Sequence, residues 1–194
     1  MKGKFIVLEG IDKSGKTTQC NILRKKIPNN IYVKFPDRET IIGKIINDYL
    51  NYKIDFNPET IHLLFSANRW ECVNKIENYL NQGINVICDR YIYSGIVYSL
   101  VNGLSYDWCS KSDNGLLVPH IIFLLDIEID TAINRYSFGL ERNETRKYQQ
   151  SASDFYNFIK EQNKELNWCI IDANRSIEDI NDDIIKKVYE IISK

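Results

Sequence analysis

The 194-residue sequence predicts an α/β fold in which a parallel five-stranded sheet has helices on both faces and a short lid. The first reason is an alternation along the chain between short apolar runs, typical of buried strands, and segments of helical periodicity. The second reason is the end of the first apolar run, where a glycine-containing loop leads directly into a helix. Strands that alternate with helices in this way form parallel sheets.

The predicted strands are short and bounded by turn residues. Pro28 separates the first helix from the second strand, and Gly83 precedes the third strand. The five predicted strands are residues 4–8, 31–35, 84–88, 120–125 and 168–171. Because the carboxyl ends of parallel strands share one edge of the sheet, this is the edge where a ligand is expected.

The predicted helices have apolar residues at helical spacing and, in places, a capping residue at the start. Thr40 precedes one helix, Pro58 begins a long one, and Ser176 with Asp179 resembles a capping box. The predicted helices are residues 17–26, 40–50, 58–80, 93–100, 128–136, 147–164 and 176–192. The region 105–115, with Trp108 and Cys109, shows no pattern and is expected to be irregular. Since no linker or repeat interrupts residues 1–194, we predict a single domain.

Composition narrows the classes of function. The chain has 25 basic and 26 acidic residues, and its net charge of -1 gives no general attraction to nucleic acids or anionic membranes. The five cysteines are widely spaced and the two histidines form no cluster, which argues against a disulfide framework and a zinc site. Without a signal peptide or an apolar run of about 18 residues, we expect a cytoplasmic protein with neither membrane nor nucleic acid as partner.

The loop after the first strand predicts a phosphate-binding site. Gly10, Gly15, Lys16 and Thr17 match the pattern G-x-x-x-x-G-K-[ST], in which backbone amides surround a polyphosphate. Side chains at the glycines would hold the backbone away from the phosphates, and the following helix directs unpaired N–H groups towards the anion. The lysine is expected to reach the β- and γ-phosphates, and the threonine hydroxyl to bind Mg²⁺.

Three further groups of residues suit a nucleotide, each with a simpler alternative. Arg38 follows the second strand and can meet an anion, although a solvated loop arginine also fits. Phe65 and Arg69 share a helix face that suits stacking on a nucleobase and bonding its exocyclic oxygen, although spacing alone favours core packing of Phe65. Asp89 and Arg90 end the third strand, where they can hold Mg²⁺ through water and contact a transferred phosphoryl group, or form a salt bridge.

A charged segment at residues 137–146 separates two predicted helices. It combines Gly139 with acidic side chains and with Arg142 and Arg146. Such a segment suits a closing lid, because it is soluble when open and brings cations over a triphosphate when closed. A plain surface loop is the alternative.

These motifs together resemble the thymidylate kinases, P-loop enzymes that phosphorylate thymidine monophosphate (dTMP), and look most like the eukaryotic and poxvirus branch. The matching segments are LEGIDKSGKTTQ at 8–19, FPDR at 35–38, LLFSANRWE at 63–71, DRY at 89–91, YSG at 93–95, FGLERNE at 138–144 and DA at 172–173. The resemblance implies the P-loop nucleoside monophosphate kinase fold and transfer of the γ-phosphate of ATP to dTMP, a step in dTTP synthesis.

The resemblance also implies roles for individual residues. ATP would contact Gly10, Lys13, Ser14, Gly15, Lys16, Thr17 and Thr18, with Arg135 and Ala173 beside the adenine. The residues expected to bind dTMP are Asp12, Phe35, Arg38, Phe65, Arg69, Arg90, Ser94, Gly95, Tyr98 and Gln149. Catalysis is assigned to Asp12, Lys13, Lys16 and Arg90, the lid cations are Arg142 and Arg146, and Thr17 with Asp89 would hold Mg²⁺.

Two positions depart from the family's pattern. Lys13 replaces an arginine found in many members, which loses a bidentate fork but keeps the charge. Asn143 stands where a tyrosine is common, so the contact of that tyrosine with the acceptor is not expected here.

The resemblance further implies a homodimer, and the predicted helix at 58–80, with Trp70 and Tyr79, offers more apolar surface than its sheet-facing side needs.

The alternative functions are a deoxynucleoside kinase, a broader dUMP/dTMP kinase and a nucleotide-dependent switch. A nucleoside kinase would not need both Arg38 and Arg90, and the sequence lacks the [NT]-K-x-D element that reads guanine in switches.

Overall fold

The computed structural model describes residues 2–135 and 138–193. A sheet of five parallel strands, in the order β2-β3-β1-β4-β5, confirms the predicted fold class. The strands are β1 (Phe5–Glu9), β2 (Asn30–Lys34), β3 (Asn85–Asp89), β4 (Ile121–Asp126) and β5 (Trp168–Asp172). Each strand begins and ends within one residue of its predicted bounds.

Helices connect the strands, and a long helix follows the last strand. The helices of the described residues are α1 (Lys16–Lys26), α2 (Ile41–Leu50), α3 (Pro58–Trp70), α4 (Val73–Asn81), α5 (Ile92–Val101), α6 (Tyr106–Lys111), α7 (Ile129–Ile133), α8 (Arg146–Gln162) and α9 (Ile177–Ile192). Thr40 and Ser176 cap α2 and α9 by accepting backbone N–H bonds of 2.9 and 3.1 Å. Among the described residues, no helix has the length and apolarity needed to span a bilayer.

Alternate residues of the central strand β1 pack on opposite faces of the sheet. Ile6 and Leu8 join a core cluster that includes residues of α1, α5, α8 and α9. Phe5 and Val7 join a second cluster that includes residues of α4. Because a strand directs successive side chains to opposite faces, helices cover both faces of this sheet.

The register of β1 and β3 brings two predicted site segments together. Leu8 pairs with Asp89, and the backbone N–H of Arg90 donates to the carbonyl oxygen of Leu8 at 2.9 Å. The loop after β1 therefore begins next to the residues that end β3, at the carboxyl edge where α/β sheets bind ligands.

The continuous helix predicted at 58–80 is wrong. Glu71 and Cys72 form a turn that separates α3 from α4. The apolar pattern continues through this turn, but α3 packs against α2 and α5 whereas α4 packs against β3. Cys72 is buried in the second cluster, where it anchors the turn between the two helices.

Three other boundaries differ from the prediction. Residues 105–115 were expected to be irregular, but they contain α6, in which Trp108 and Cys109 lie and Cys109 is fully buried. The helix predicted at 128–136 ends at Ile133 of α7, and Tyr136 lies outside the described residues. Ser137, the first residue of the predicted lid, also lies outside them, whereas residues 138–145 form turns that lead to Arg146 at the start of α8.

Candidate functional site

A cavity of about 410 Å³ opens at the carboxyl edge of the sheet. This volume lies within the range of small-molecule sites. The predicted site residues that line the cavity are Asp12, Lys13, Gly15, Lys16, Thr17, Thr18, Phe35, Arg38, Phe65, Arg69, Asp89, Arg90, Ser94, Gly95, Tyr98 and Arg135. The predicted residues outside the lining are Gly10, Ser14, Ala173, Arg142, Arg146 and Gln149. The structure therefore brings most of the predicted site together.

The loop between β1 and α1 has the backbone shape that the motif requires. Gly10 and Gly15 have φ angles of 140° and 102°, in the region that favours glycine. A Cβ atom at Gly10 would lie 2.7 Å from the carbonyl oxygen of Leu125, so a side chain does not fit there. Lys16 begins α1 and donates through Nζ to the carbonyl oxygen of Ile11 at 2.6 Å and to Ser14 Oγ at 3.1 Å. The start of α1 has no side-chain cap, and unpaired amides at a helix start suit the binding of an anion.

Lys16 is held in an environment that disfavours its charge. Burial lowers the pKa of Lys16 to about 7, and the nearby Arg90 guanidinium acts in the same direction. Asp89 and Asp12 oppose this shift but do not cancel it. A bound anion would stabilise the charged form of such a buried ammonium group, because the anion would replace its lost hydration.

The two predicted metal ligands are adjacent. Thr17 Oγ1 donates to Asp89 Oδ2 at 2.5 Å, and the Tyr32 hydroxyl donates to the same oxygen at 3.2 Å. A hydroxyl and a carboxylate are hard oxygen donors, which suit Mg²⁺. No group of three or more His, Cys, Asp and Glu side chains that could bind a metal occurs in residues 2–135 and 138–193. This donor set fits a Mg²⁺ ion that also uses phosphate and water ligands.

Arg90 and Asp12 form the centre of a hydrogen-bond network. The Arg90 guanidinium donates to Asp12 Oδ1, to the carbonyl oxygen of Gly10 at 2.9 Å and to Ser94 Oγ at 3.0 Å. Asp12 Oδ2 accepts from the Tyr98 hydroxyl at 3.0 Å and from Gln149 Nε2 at 2.7 Å. Burial alone would raise the pKa of Asp12, but Arg90 and Lys16 outweigh burial and lower it. Gln149 thus acts on the cavity through Asp12.

Glu9 supports this network and was not predicted. Its side chain is fully buried and accepts from the backbone N–H groups of Tyr91 at 2.9 Å and Ser94 at 3.2 Å. It also accepts from the Ser94 hydroxyl and, at 3.2 Å, from the hydroxyl of Tyr156. Since Tyr91 offers no side-chain cap to α5, the carboxylate of Glu9 caps that helix from β1. The only sequence signal was an acidic residue at the end of a buried strand.

Phe65 and Arg69 both reach the cavity, with different surroundings. Phe65 is half-buried and packs against a small core cluster of α2 and α3 residues while another part of the ring lines the cavity. Arg69 forms a buried ion pair with Asp113, in which Nη2 lies 2.6 Å from Oδ2. Asp113 was not predicted, because it follows α6 in a region without a recognisable pattern.

Acidic residues of the segment 138–145 contact the cations of the cavity. Arg38 donates to both carboxylate oxygens of Glu141 at 2.8 and 3.0 Å, and Lys13 lies 3.1 Å from Glu144. The two predicted lid arginines are elsewhere. Arg142 packs on the rings of Tyr49 and Tyr52 and pairs with Asp55, and Arg146 pairs with Asp130 at the surface. In this structure the predicted lid segment therefore contributes carboxylates rather than arginines to the cavity lining.

Arg135 connects the phosphate-binding loop to the turn after β5. Its guanidinium donates to the carbonyl oxygens of Lys13 at 2.6 Å and Ala173 at 3.3 Å. Burial lowers the pKa of Arg135. Arg135 and Ala173 thus lie on the side of the site between the loop after β1 and the end of β5.

Comparisons with known proteins show which family the whole chain resembles. A family model described as thymidylate kinase matches residues 8–184. The thymidylate kinase of Plasmodium falciparum is 46% identical over 98% of this chain and 91% of its own length, and that of Homo sapiens is 39% identical over 94% and 88%. The solved structure of thymidylate kinase from Candida albicans has a TM-score of 0.89 and 33% identity, covering 97% of this chain and 92% of that one.

Proposed function

Because the chain belongs to the thymidylate kinase family, we infer that it transfers the γ-phosphate of ATP to dTMP, giving ADP and dTDP. The observation that supports this reaction best is the sharing of one cavity by a polyphosphate loop and a second group of cations. A kinase whose acceptor already has a phosphate must hold two anions together, and Lys16, Arg38 and Arg90 suit that task.

We propose that the loop after β1 binds the triphosphate of ATP. The donor residues are Gly10, Lys13, Ser14, Gly15, Lys16, Thr17 and Thr18, with Arg135 and Ala173 beside the adenine. Thr17 and Asp89 would hold Mg²⁺, which when bound supplies positive charge to the β- and γ-phosphates. Support for this assignment comes from the left-handed glycines, the buried ammonium of Lys16 and the adjacent oxygens of Thr17 and Asp89.

We propose that dTMP occupies the part of the cavity between α3 and α5. Phe65 would stack on the thymine ring and Arg69 would donate to one of its carbonyl oxygens, while Arg38 and Arg90 bind the phosphate. Asp12 would accept from the 3′-hydroxyl, with Gln149 and Tyr98 holding its carboxylate in position. The other proposed acceptor residues are Phe35, Ser94 and Gly95.

The mechanism is positioning and neutralisation of charge. The phosphate of dTMP has a second pKa near 6, so at neutral pH it is largely a dianion and needs no strong general base. Lys16 and Arg90 would stabilise negative charge on the transferred group, and Lys13 would add a third cation once it leaves Glu144. The segment 137–146 would exclude water when it closes.

A transfer assay tests this function. Radiolabelled ATP is supplied with dTMP, thymidine or dUMP, and we expect dTMP to be the best acceptor. Lys16→Ala should retain the fold and lose at least about tenfold in rate, because loss of a transition-state cation costs several kcal/mol. Preference for thymidine would indicate a nucleoside kinase, and a folded Lys16→Ala protein with nearly full activity would contradict the assignment of the loop.

We also propose a homodimer formed by an apolar α3–α6 face, defined as Leu63, Trp70 and Trp108. Leu63 and Trp70 lie two turns apart on α3 and are 48% and 38% exposed. Trp108 packs beside His62, with ring centroids 5.2 Å apart, and is itself partly exposed. Large apolar side chains grouped on one face suit a protein interface.

The single domain and the cytoplasmic location remain predictions.

A further inference from the structure

Arg69 is a nearly inaccessible cation that still lines the cavity. Its side chain is 2% exposed, and that of Asp113 is 1% exposed. Nε and Nη2 of Arg69 donate to Oδ1 and Oδ2 of Asp113 at 3.1 and 2.6 Å. The pair therefore has little net charge, and burial prevents Asp113 from leaving it.

Asp113 lies behind Arg69 rather than in the cavity. It is absent from the lining, whereas Arg69 is part of it. Ser66 Oγ donates to Asp113 Oδ1 at 2.8 Å, which fixes the carboxylate from α3. Asp113 thus acts on a ligand only through Arg69.

The backbone of α5 fixes the guanidinium on its other side. A Cβ atom at Gly95 would lie 2.6 Å from Nη1 of Arg69, so a side chain at this position would displace the guanidinium. Within the described part of the chain, Nη1 makes no hydrogen bond to protein. Every fully buried side-chain nitrogen in that part of the chain has a hydrogen-bond partner, so Nη1 is not fully buried. It follows that Nη1 is accessible and is the nitrogen that a ligand in the cavity can reach.

We propose that Asp113 is a positioning residue that converts Arg69 from an anion site into a donor for a neutral carbonyl oxygen, and so fixes which end of the nucleotide binds there. The proposal rests on the proposed function, in which this part of the cavity receives the thymine. A buried arginine without a counter-ion would attract a phosphate dianion. With Asp113 fixed behind it, a phosphate at Nη1 meets no net positive charge, whereas a carbonyl oxygen still accepts its hydrogen bond.

The phosphate end of the cavity differs in this respect. Arg38 is also paired, but its partner Glu141 belongs to a partly exposed segment, so a phosphate can replace that carboxylate. Lys13 and Lys16 also line the cavity and add positive charge. Arg38 therefore differs from Arg69 in that its counter-ion can be exchanged.

The test is Asp113→Asn, which preserves shape and removes one charge. We expect the KM for dTMP to rise about tenfold, the KM for ATP to stay unchanged, and competitive inhibition by inorganic phosphate against dTMP to strengthen by about tenfold. Ser66→Ala is the matched control, because it removes a hydrogen bond to Asp113 but retains the ion pair. Its phosphate inhibition should equal that of the unmodified protein.

A double variant, Arg69→Gln with Asp113→Asn, separates the effect of an unpaired charge on Arg69 from the effect of structural damage to the cavity. It removes both charges together, so it should fold even if Asp113→Asn does not, and it should lose affinity for dTMP without gaining any for phosphate. Stronger phosphate inhibition in the double variant would overturn the proposal. So would an Asp113→Asn protein with unchanged phosphate inhibition, or one in which both KM values rise equally. Failure of the unmodified protein to phosphorylate dTMP would instead overturn the proposed function.

Discussion

Lys16 is a buried ammonium group whose charge the proposed ATP site requires. Burial and Arg90 lower its pKa to about 7, so it is mostly protonated below that pH and mostly neutral above it. A polyphosphate beside the lysine favours the protonated form, so its pKa rises when ATP binds. Above pH 7, binding must therefore take up a proton, and the contribution of Lys16 to ATP affinity should fall by up to about tenfold per pH unit.

Calorimetry in buffers of different ionisation enthalpy measures this proton uptake directly. We expect little uptake at about pH 6 and nearly one proton per ATP at about pH 8. Lys16→Met is the control, and subtracting its values removes the protons contributed by ATP itself. An equal uptake by both proteins at the higher pH would show that Lys16 is already charged in the free protein.

Phe65 belongs to the cavity and to a core cluster at once, which predicts an effect on both binding and stability. Phe65→Ala should weaken dTMP by roughly 1–3 kcal/mol, as for loss of base stacking, and leave ATP nearly unchanged. Phe56 packs on the same cluster but lies outside the cavity lining, so Phe56→Ala is the matched control. Titration of each nucleotide and thermal melting separate the two effects. If both variants lower dTMP affinity equally, Phe65 has only a packing role.

Residue patterns predicted cavity-lining residues that come directly after strands but not the partners of those residues. The loop, Asp89 and Arg90 could be predicted because a parallel sheet aligns its carboxyl ends. Glu9 and Asp113 could not, because each acts through a partner far away in sequence. The bond between Ser94 N–H and Glu9 spans 85 positions, and that between Arg69 and Asp113 spans 44. Such pairings depend on packing that a single sequence does not specify.

At the scale of elements, helical periodicity predicted the helices but not where they end. The apolar stripe from 58 to 80 keeps its spacing, yet α3 and α4 face different neighbours and a turn at Glu71 divides them. The helix α6 is only six residues long, too short to show a stripe. Local spacing does not tell which neighbour a helix will pack against.

The segment 138–145 gives an element-scale prediction about substrate binding. Arg38 and Glu141 are 35% and 32% exposed, and such partly exposed pairs contribute about 0–1 kcal/mol. If a phosphate must displace Glu141 from Arg38, Glu141→Gln should lower the KM for dTMP by up to about fivefold. Steady-state kinetics with saturating ATP measures this change.

Asp55→Asn is the control for the segment 138–145. Asp55 pairs with Arg142, so this change removes an ion pair of the same segment without freeing a cation of the cavity. Its KM for dTMP should match that of the unmodified protein. A higher KM in Glu141→Gln would mean that Glu141 supports acceptor binding rather than competing with it.

At the scale of the whole molecule, the alternation of strands and helices predicted a five-stranded parallel sheet. The strand order depends on the side to which each connection crosses, and the sequence pattern does not contain this information. The observed order makes β1 central, with β3 and β4 as its neighbours. This position explains why one loop, after β1, can contact residues from both halves of the sheet.

The proposed homodimer is the prediction that belongs to this scale. The α3–α6 face lies on the helix that presents Phe65 and Arg69 to the cavity, so pairing of two chains would brace that helix. Leu63→Asp should give a monomer, because a carboxylate cannot be buried in an apolar interface without a partner.

Light scattering at micromolar concentration gives the mass of each variant, and nucleotide titration tests the link to binding. Ile177→Asp is the matched control, because Ile177 begins α9 and is 50% exposed, close to the value of 48% for Leu63. We expect the control to remain a dimer, and Leu63→Asp to lose affinity for dTMP but not for ATP. A monomeric unmodified protein would contradict the dimer. A monomeric Leu63→Asp protein with unchanged dTMP affinity would show that α3 is rigid without its partner, because the contacts of α3 with α2 and α5 would then suffice to hold Phe65 and Arg69.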